Sequence, residues 1–183
     1  MALLLAATFV LFLGFNFFYA AFPIHAVGAY NWSHEQLGIF FAVMAGMMVF
    51  AQGPLLSLAS KHLNRRLIFA TGMAFMVMAL VSYQLPAGAI TYVGAACFAV
   101  GNGLSWPTFQ ARVSELGGEQ QGAVQGVVTS ASSLASISGL VLGGILYPSL
   151  GGNLFFVAAG FFIVVLALTP LCFPRVRART TAG

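Results

Sequence analysis

The chain has 183 residues and a formal charge of +4; 60% of its residues are hydrophobic and 5% are charged, whereas a soluble domain carries roughly 25% charged residues. This composition excludes an ordinary soluble enzyme or binding domain, and it predicts an all-α integral membrane protein with the lipid bilayer as its surroundings. Nucleic acid is not expected as a partner, because the seven Lys and Arg form no patch on a polar surface.

Breaks in the apolar pattern predict six transmembrane helices, each long enough to cross a hydrocarbon core of about 30 Å. Their predicted limits are 3–29, 35–59, 67–84, 87–113, 122–148 and 153–173. Together they form one transmembrane domain over residues 1–174. A basic tail over residues 175–183 is expected to follow it in the cytoplasm.

The first predicted span is rich in aromatic residues and carries Asn16 and Tyr19 on one face. His25 is the one histidine inside a predicted span, near its outer end. It is a candidate for carrying protons, and the alternative is an ordinary interfacial histidine. Ser33 is followed three residues later by a glutamine, the spacing of a capping box, which predicts that the second helix starts close to His34.

The second predicted span aligns Gln52 with two methionines on one face, just before a Gly-Pro pair. A basic loop follows, with Lys61, Arg65 and Arg66. The third span has no strongly polar residue in its central stretch. It therefore suits a position against lipid or at the periphery of the domain.

The fourth predicted span places Asn102, Trp106 and Gln110 on one helical stripe and ends at Arg112. The sixth span is apolar all round, which again suits lipid or peripheral packing.

The fifth predicted span carries a second stripe of small and polar residues, including Gln125, Ser132 and Ser136. Two pairs of glycines four residues apart, at positions 122 and 126 and at positions 139 and 143, are typical of close helix packing.

Two interpretations of these polar stripes stay open. In the first, small and hydroxyl residues mediate close packing between helices. In the second, they line a polar and aromatic cavity, and this fits the larger side chains on the fourth span, which are costly to leave facing lipid. The substrate-cavity candidates are Asn16, Tyr19, Gln52, Asn102, Trp106, Gln110, Gln125, Ser132 and Ser136.

The basic residues predict the orientation. Lys61, Arg65, Arg66, Arg112 and the three arginines of the tail all fall on one side of the six-span arrangement. The positive-inside rule then places both termini in the cytoplasm, with the chain as a multi-pass protein of the cell inner (plasma) membrane.

The distribution of polarity also predicts an internal repeat. Spans one, two, four and five carry polar residues, whereas spans three and six do not. Two three-helix repeats would give this pattern, and three crossings per repeat force an inverted relation between them.

Four segments together resemble one known family: GFNFFYAAFP (14–23), SLASKHLNRR (57–66), GNGLSWPTFQ (101–110) and QGAVQG (121–126). The chain resembles the C-terminal six-helix half of the drug:proton antiporters of the major facilitator superfamily, the tetracycline-efflux proteins and their relatives. In that family the loop after the second helix follows a Gly-x-x-x-Asp-Arg-x-Gly-Arg-Arg pattern. This chain matches it only at Arg65 and Arg66, and it lacks the acidic residue.

The resemblance implies a twelve-helix transporter whose two halves rock about a central site, with proton-coupled export of small amphiphilic compounds. The missing surface would come from an N-terminal six-helix half or from a second copy of the chain. Glu35, Glu115 and Glu119 all lie in loops or at span ends, so this half brings no midplane carboxylate for coupling.

Other functions are compatible with the same sequence. The chain could be an inactive truncated transporter, or a membrane-embedded partner that acts as a scaffold for another transporter. Enzyme activity, cofactors and metal sites are not expected, because no cluster with ligand spacing, phosphate-binding loop or nucleophile motif is found.

Overall fold

In the computed structural model, residues 1–173 are described, and they form helices joined by short turns. The helices are α1 (Ala2–Gly28), α2 (His34–Phe50), α3 (Leu56–His62), α4 (Arg65–Ser82), α5 (Ala89–Gly117), α6 (Gln121–Leu150) and α7 (Leu154–Cys172). The expectation of an all-helical chain with long apolar helices is confirmed. The predicted basic tail, 175–183, lies outside the described residues.

Four helical stretches within residues 1–173 are long and apolar enough to cross a membrane. They are Ala2–Gly28, His34–His62, Arg65–Ser82 and Ala89–Cys172. The sequence predicted six spans, and the difference lies in the last stretch. It is 84 residues long and contains α5, α6 and α7, which tight 3₁₀ turns join into one helical run.

Local sequence signals explain where two of the helices begin. The Ser33 hydroxyl accepts a hydrogen bond from the Gln36 backbone N–H (3.2 Å), and the Gln36 side chain accepts one from the Ser33 N–H (2.9 Å). This confirms the predicted capping box and the start of α2. In the same way the Asn64 side chain accepts a hydrogen bond from the Leu67 N–H (2.9 Å) at the start of α4.

A π-helix, Ala51–Leu55, joins α2 to α3 without a break. Pro54 lies inside it. Proline lacks an N–H, and its ring clashes with the carbonyl four residues earlier, so the wider π turn accommodates it. Predicted span 35–59 is therefore one continuous rod that reaches His62.

The arrangement of the long helices follows from their contacts. α1 packs on α6 and α7, α5 packs on α4 and α2, and α4 packs on α7. Exchanging α1 with α5, α2 with α6 and α4 with α7 leaves this pattern of neighbours unchanged. Aromatic side chains fill the space between α1 and α5, where the ring centroids of Phe18 and Phe98 are 4.3 Å apart.

Glycines bring several pairs of helices into close contact, among them α4 with α5 and α6 with α1. A Cβ atom at Gly72 of α4 would lie 2.7 Å from the carbonyl oxygen of Gly101 of α5, so these backbones touch. At Gly139 and Gly143, α6 lies equally close to α1, with added Cβ atoms 2.8 Å from Asn16 and 2.9 Å from Ala20. These are the close contacts that small residues allow in membrane helices.

The other predicted glycine pair behaves differently. A Cβ atom at Gly122 or at Gly126 would meet nothing within 4 Å among the described residues. Among the described residues, close packing on the α6 stripe therefore involves the glycines of its second half and not those of its first half.

Polar contacts hold the two ends of the helical bundle. At one end Arg65 and Arg112 both pair with Glu115, and the Arg112 Nε donates to the carbonyl oxygen of Cys172 (3.2 Å). The start of α4 and the ends of α5 and α7 therefore lie together. At the other end the Gln84 side chain donates to the carbonyl oxygen of Gly152, which joins the end of α4 to the turn after α6.

Candidate substrate cavity

A partly open cavity of about 240 Å³ lies where α1, α5 and α6 meet. It is lined by Phe12, Phe15, Asn16, Tyr19, Asn102, Trp106 and Ser136. Five of these seven residues are among the nine predicted from the sequence, and they come from three different helices. The cavity thus combines aromatic rings with amide and hydroxyl groups inside a largely apolar bundle.

Asn16 connects two walls of the cavity. Its Nδ2 donates one hydrogen bond to the carbonyl oxygen of Phe12 (2.7 Å) and a second to the Ser136 Oγ of α6 (3.0 Å). The close approach of α6 to α1 at Gly139 brings the two side chains within reach. The polar stripes of α1 and α6 therefore meet through side chains as well as through packing.

Asn102 lies on the α5 wall and is only 8% exposed. Its Nδ2 donates to the Sδ atom of Met48 in α2 at 3.0 Å. A thioether sulfur is a weak acceptor, so this bond satisfies the buried amide only in part. One N–H and the carbonyl oxygen of the Asn102 side chain form no hydrogen bond within residues 1–173, which leaves them for a ligand in the cavity.

The aromatic walls meet at an angle. The ring centroids of Phe12 and Trp106 are 4.9 Å apart with the rings nearly perpendicular (78°), whereas Phe15 and Tyr19 are nearly parallel (12°) at 6.1 Å. Such arrangements suit the quadrupoles of aromatic rings and leave ring faces available to a flat ligand. Phe12 was not singled out from the sequence, although it lies one helical turn before Asn16 on the same face of α1.

Four predicted residues do not line this cavity. Gln52 is exposed in the π-helix, and Gln125 and Ser132 are half-buried on α6 away from the cavity. Gln110 lies one turn beyond Trp106, and its Oε1 is buried without a hydrogen-bond partner among the described residues.

His25 lies outside the cavity, in a cluster near the end of α1. Its Nδ1 is 2.9 Å from the Tyr147 hydroxyl of α6, and the rings of Tyr30 and Phe155 meet its ring edge-on. The Tyr30 hydroxyl donates to the carbonyl oxygen of Tyr83 (2.6 Å), and burial raises the pKa of Tyr30. These contacts hold the ends of α1, α4 and α6 together.

Comparison with known proteins identifies the family. A sequence model described as Major Facilitator Superfamily matches residues 4–182. The chain belongs to the major facilitator superfamily. Its members are membrane transporters, which agrees with the long apolar helices of the bundle. The expected membership of this superfamily is therefore confirmed.

Two curated relatives are the proteins named Hippocampus abundant transcript 1 protein from Mus musculus and from Homo sapiens. Each is 27% identical to the chain over 140 residues, which is 76% of the chain and 27% of the relative. The chain thus spans about 27% of the length of the curated relatives it matches.

The described basic residues of this superfamily member lie near one end of the bundle. Lys61 lies in α3, Arg65 and Arg66 begin α4, and Arg112 lies in the last turns of α5. Arg65 and its partner Glu115 are both substantially exposed, so an ion pair of this kind contributes at most about 1 kcal/mol to stability. Glu115 lies on α5, so this ion pair joins the start of α4 to the end of α5.

Proposed function

We propose that the chain is the C-terminal six-helix half of a secondary active transporter of the drug:proton antiporter type, which exports small amphiphilic compounds across the plasma membrane. The cavity between α1, α5 and α6 is the observation that carries this proposal. Amide and hydroxyl groups at membrane depth are costly unless a function or a partner uses them. Aromatic rings beside these groups suit a ligand that has both apolar and polar parts.

Six crossings are part of the proposal. A single straight helix of 84 residues would be about 126 Å long, roughly four times the thickness of the hydrocarbon core. The stretch Ala89–Cys172 therefore has to fold back, and contacts of α6 with both α5 and α7 support three separate crossings. The pattern of helix contacts is unchanged when α1, α2 and α4 are exchanged with α5, α6 and α7. This supports two inverted three-helix repeats.

The proposed orientation follows from charge. Lys61, Arg65, Arg66 and Arg112 lie near one end of the bundle, and that end faces the cytoplasm in the proposed topology. An even number of crossings then places both termini on the cytoplasmic side.

A second six-helix unit would complete the transport pathway. The cavity is partly open, and α2 and α6 beside it have few buried residues. Gly122 and Gly126 are exposed on α6 and leave room for a closely packed helix. We propose an N-terminal half of the same transporter as this unit, with a second copy of the chain as the alternative.

Proton coupling is proposed from the family resemblance. No carboxylate lines the cavity within residues 1–173, so the second unit would supply the main proton-carrying group. His25, paired with Tyr147, is the candidate within this chain.

Cysteine labelling tests whether the cavity is open to water. After Cys97 and Cys172 are replaced, single cysteines at Asn102 and Trp106 should react with water-soluble thiol reagents in native membranes. A cysteine at Phe162, which is fully buried between helices, should not react. A cysteine at Gln110 reports whether its unpaired side chain also reaches water.

Equal protection at all these positions would contradict the transport proposal. It would favour the packing interpretation of the stripes, and with it the alternative role of a membrane-embedded scaffold for another transporter.

A further inference from the structure

We infer that the cavity between α1, α5 and α6 takes an uncharged aromatic compound that both donates and accepts hydrogen bonds, and that it rejects a permanently charged compound of the same shape. This inference rests on the proposed transport function and names the substrate class of the same cavity.

The charge of the lining is the first argument. None of the seven residues that line the cavity within residues 1–173 carries a formal charge. Arg112 lies further along α5, and its guanidinium already binds the carbonyl oxygen of Cys172 and the carboxylate of Glu115. A charged ligand would therefore lose part of its hydration without gaining a counter-charge from these residues.

Cation–π attraction does not reverse this argument. Phe12, Phe15 and Trp106 present ring faces or edges to the cavity, and a cation over such a face is attracted to it. That attraction is smaller than the cost of transferring an unpaired cation out of water. The aromatic lining therefore favours an aromatic ligand over a cationic one.

The pattern of unpaired polar atoms is the second argument. Both Nδ2 hydrogens of Asn16 are used, by Phe12 and by Ser136, so its carbonyl oxygen is left to accept a hydrogen bond. The Ser136 hydroxyl accepts the bond from Asn16, so its own proton is left to donate. The Asn102 side chain keeps one N–H and its carbonyl oxygen for a ligand, because it uses one N–H on Met48.

The cavity thus offers both donors and acceptors to a ligand. A carboxylate ligand would meet the carbonyl oxygens of Asn16 and Asn102, and an ammonium ligand would meet N–H and O–H donors beside them. A neutral compound with a carbonyl group and a hydroxyl or amide N–H group satisfies both kinds of atom. Unpaired polar groups in such a site are costly, so a ligand that satisfies both kinds is preferred.

The shape of the cavity is the third argument. The perpendicular rings of Phe12 and Trp106 form a corner in which a flat ring can stack on one face and meet the edge of the other. The volume of about 240 Å³ is just below the range of about 300–1,000 Å³ typical of drug-sized sites. The cavity therefore suits the ring portion of a small compound.

A matched pair of probes tests the charge preference. The first probe is a coumarin with a ketone, a hydroxymethyl group and a tert-butyl group, and in the second a trimethylammonium group of the same shape replaces the tert-butyl group. Binding of each probe to the chain in lipid nanodiscs is measured at equal concentration in the lipid, with empty nanodiscs as the reference. We expect the neutral probe to bind at least tenfold more tightly.

Asn102→Asp provides the matched change in the cavity, because it places a carboxyl group there with almost no change in shape, and a bound cation favours the ionised form of that group. We expect this variant to reverse the preference, so that the trimethylammonium probe binds more tightly than the neutral probe. Asn31→Asp makes the same chemical change in the exposed loop before α2, at a left-handed φ of 55° that both residues adopt. It should leave the ratio of the two affinities unchanged.

The results separate the inference from the proposed function. Equal or tighter binding of the trimethylammonium probe to the unaltered chain would overturn the inference and leave the cavity as a binding site. If neither probe binds above empty nanodiscs, the inference fails, and unreactive cysteines in the cavity would then overturn the proposed function as well. The unaltered chain decides the charge preference by itself, even if Asn102→Asp does not fold.

Discussion

Replacing Gly139 with alanine tests the closest contact between α1 and α6. The added Cβ atom would lie 2.8 Å from the Cβ of Asn16 and 3.0 Å from the carbonyl oxygen of Leu13, and neither atom is at the end of a flexible side chain. Such overpacking costs about 1–3 kcal/mol. Alanine gains about 1 kcal/mol over glycine in helix propensity, so we expect Gly139→Ala to lower the free energy of unfolding by up to about 2 kcal/mol.

Gly126→Ala is the matched control on the same helix. No atom among the described residues lies within 4 Å of its added Cβ, so we expect a gain of up to about 1 kcal/mol from helix propensity. The propensity gain is common to both variants, and the difference between them therefore isolates the steric cost of about 1–3 kcal/mol. Unfolding of the purified variants by SDS in mixed micelles measures both free energies. Equal stability of the two variants would show that α1 and α6 are not packed as closely as in the structure.

Two further predictions concern orientation and the cavity. A reporter that works only in the cytoplasm should be active when it is fused after the C-terminus. A reporter that works only on the other side of the membrane should be active when it is inserted in the loop 86–88. The opposite result would contradict the topology. Ser136→Ala removes the acceptor of one Asn16 hydrogen bond, so it should destabilise the chain by about 1 kcal/mol and weaken binding of the neutral coumarin. Ser133→Ala, on the exposed side of α6, should change neither quantity by a comparable amount.

Features that depend on neighbouring residues in the sequence could be predicted. The capping box at Ser33 and the start of α2 required only the spacing of two side chains. The stripe of Asn102 and Trp106 required only the helical period, and both residues line the cavity. Neither conclusion depended on which other helix lies opposite.

Features that depend on contacts between helices could not be predicted. Gln52 was aligned with Met48 by an α-helical period, but it falls in the π-helix, where the wider turn changes the direction of successive side chains. The two glycine pairs of α6 look alike in sequence, yet only Gly139 and Gly143 meet another described helix. The residues that end up in the cavity are therefore set by where glycines allow helices to approach, and that information is not local.

The last prediction is that the chain alone does not carry out proton-coupled export. Its cavity is partly open, and its unpaired amide and hydroxyl groups at Asn16, Asn102 and Ser136 would each cost several kcal/mol if they faced hydrocarbon. A second copy of the chain could cover these groups, but neither copy would bring a carboxylate among the described residues that line the cavity. Proton-coupled transport should therefore be absent even if a dimer forms.

Reconstitution into liposomes with an imposed pH gradient measures this directly. The neutral coumarin and a hydrophobic cationic dye are both used, so that the charge preference of the cavity does not decide the result. Protein-free liposomes give the rate of passive leakage, and we expect the chain to match that rate for both compounds. Movement of either compound that is faster than leakage, and that stops when the gradient is collapsed, would show that this chain, alone or as a dimer, forms a complete pathway. It would also show that a group within this chain, with His25 as the first to test, couples protons to transport.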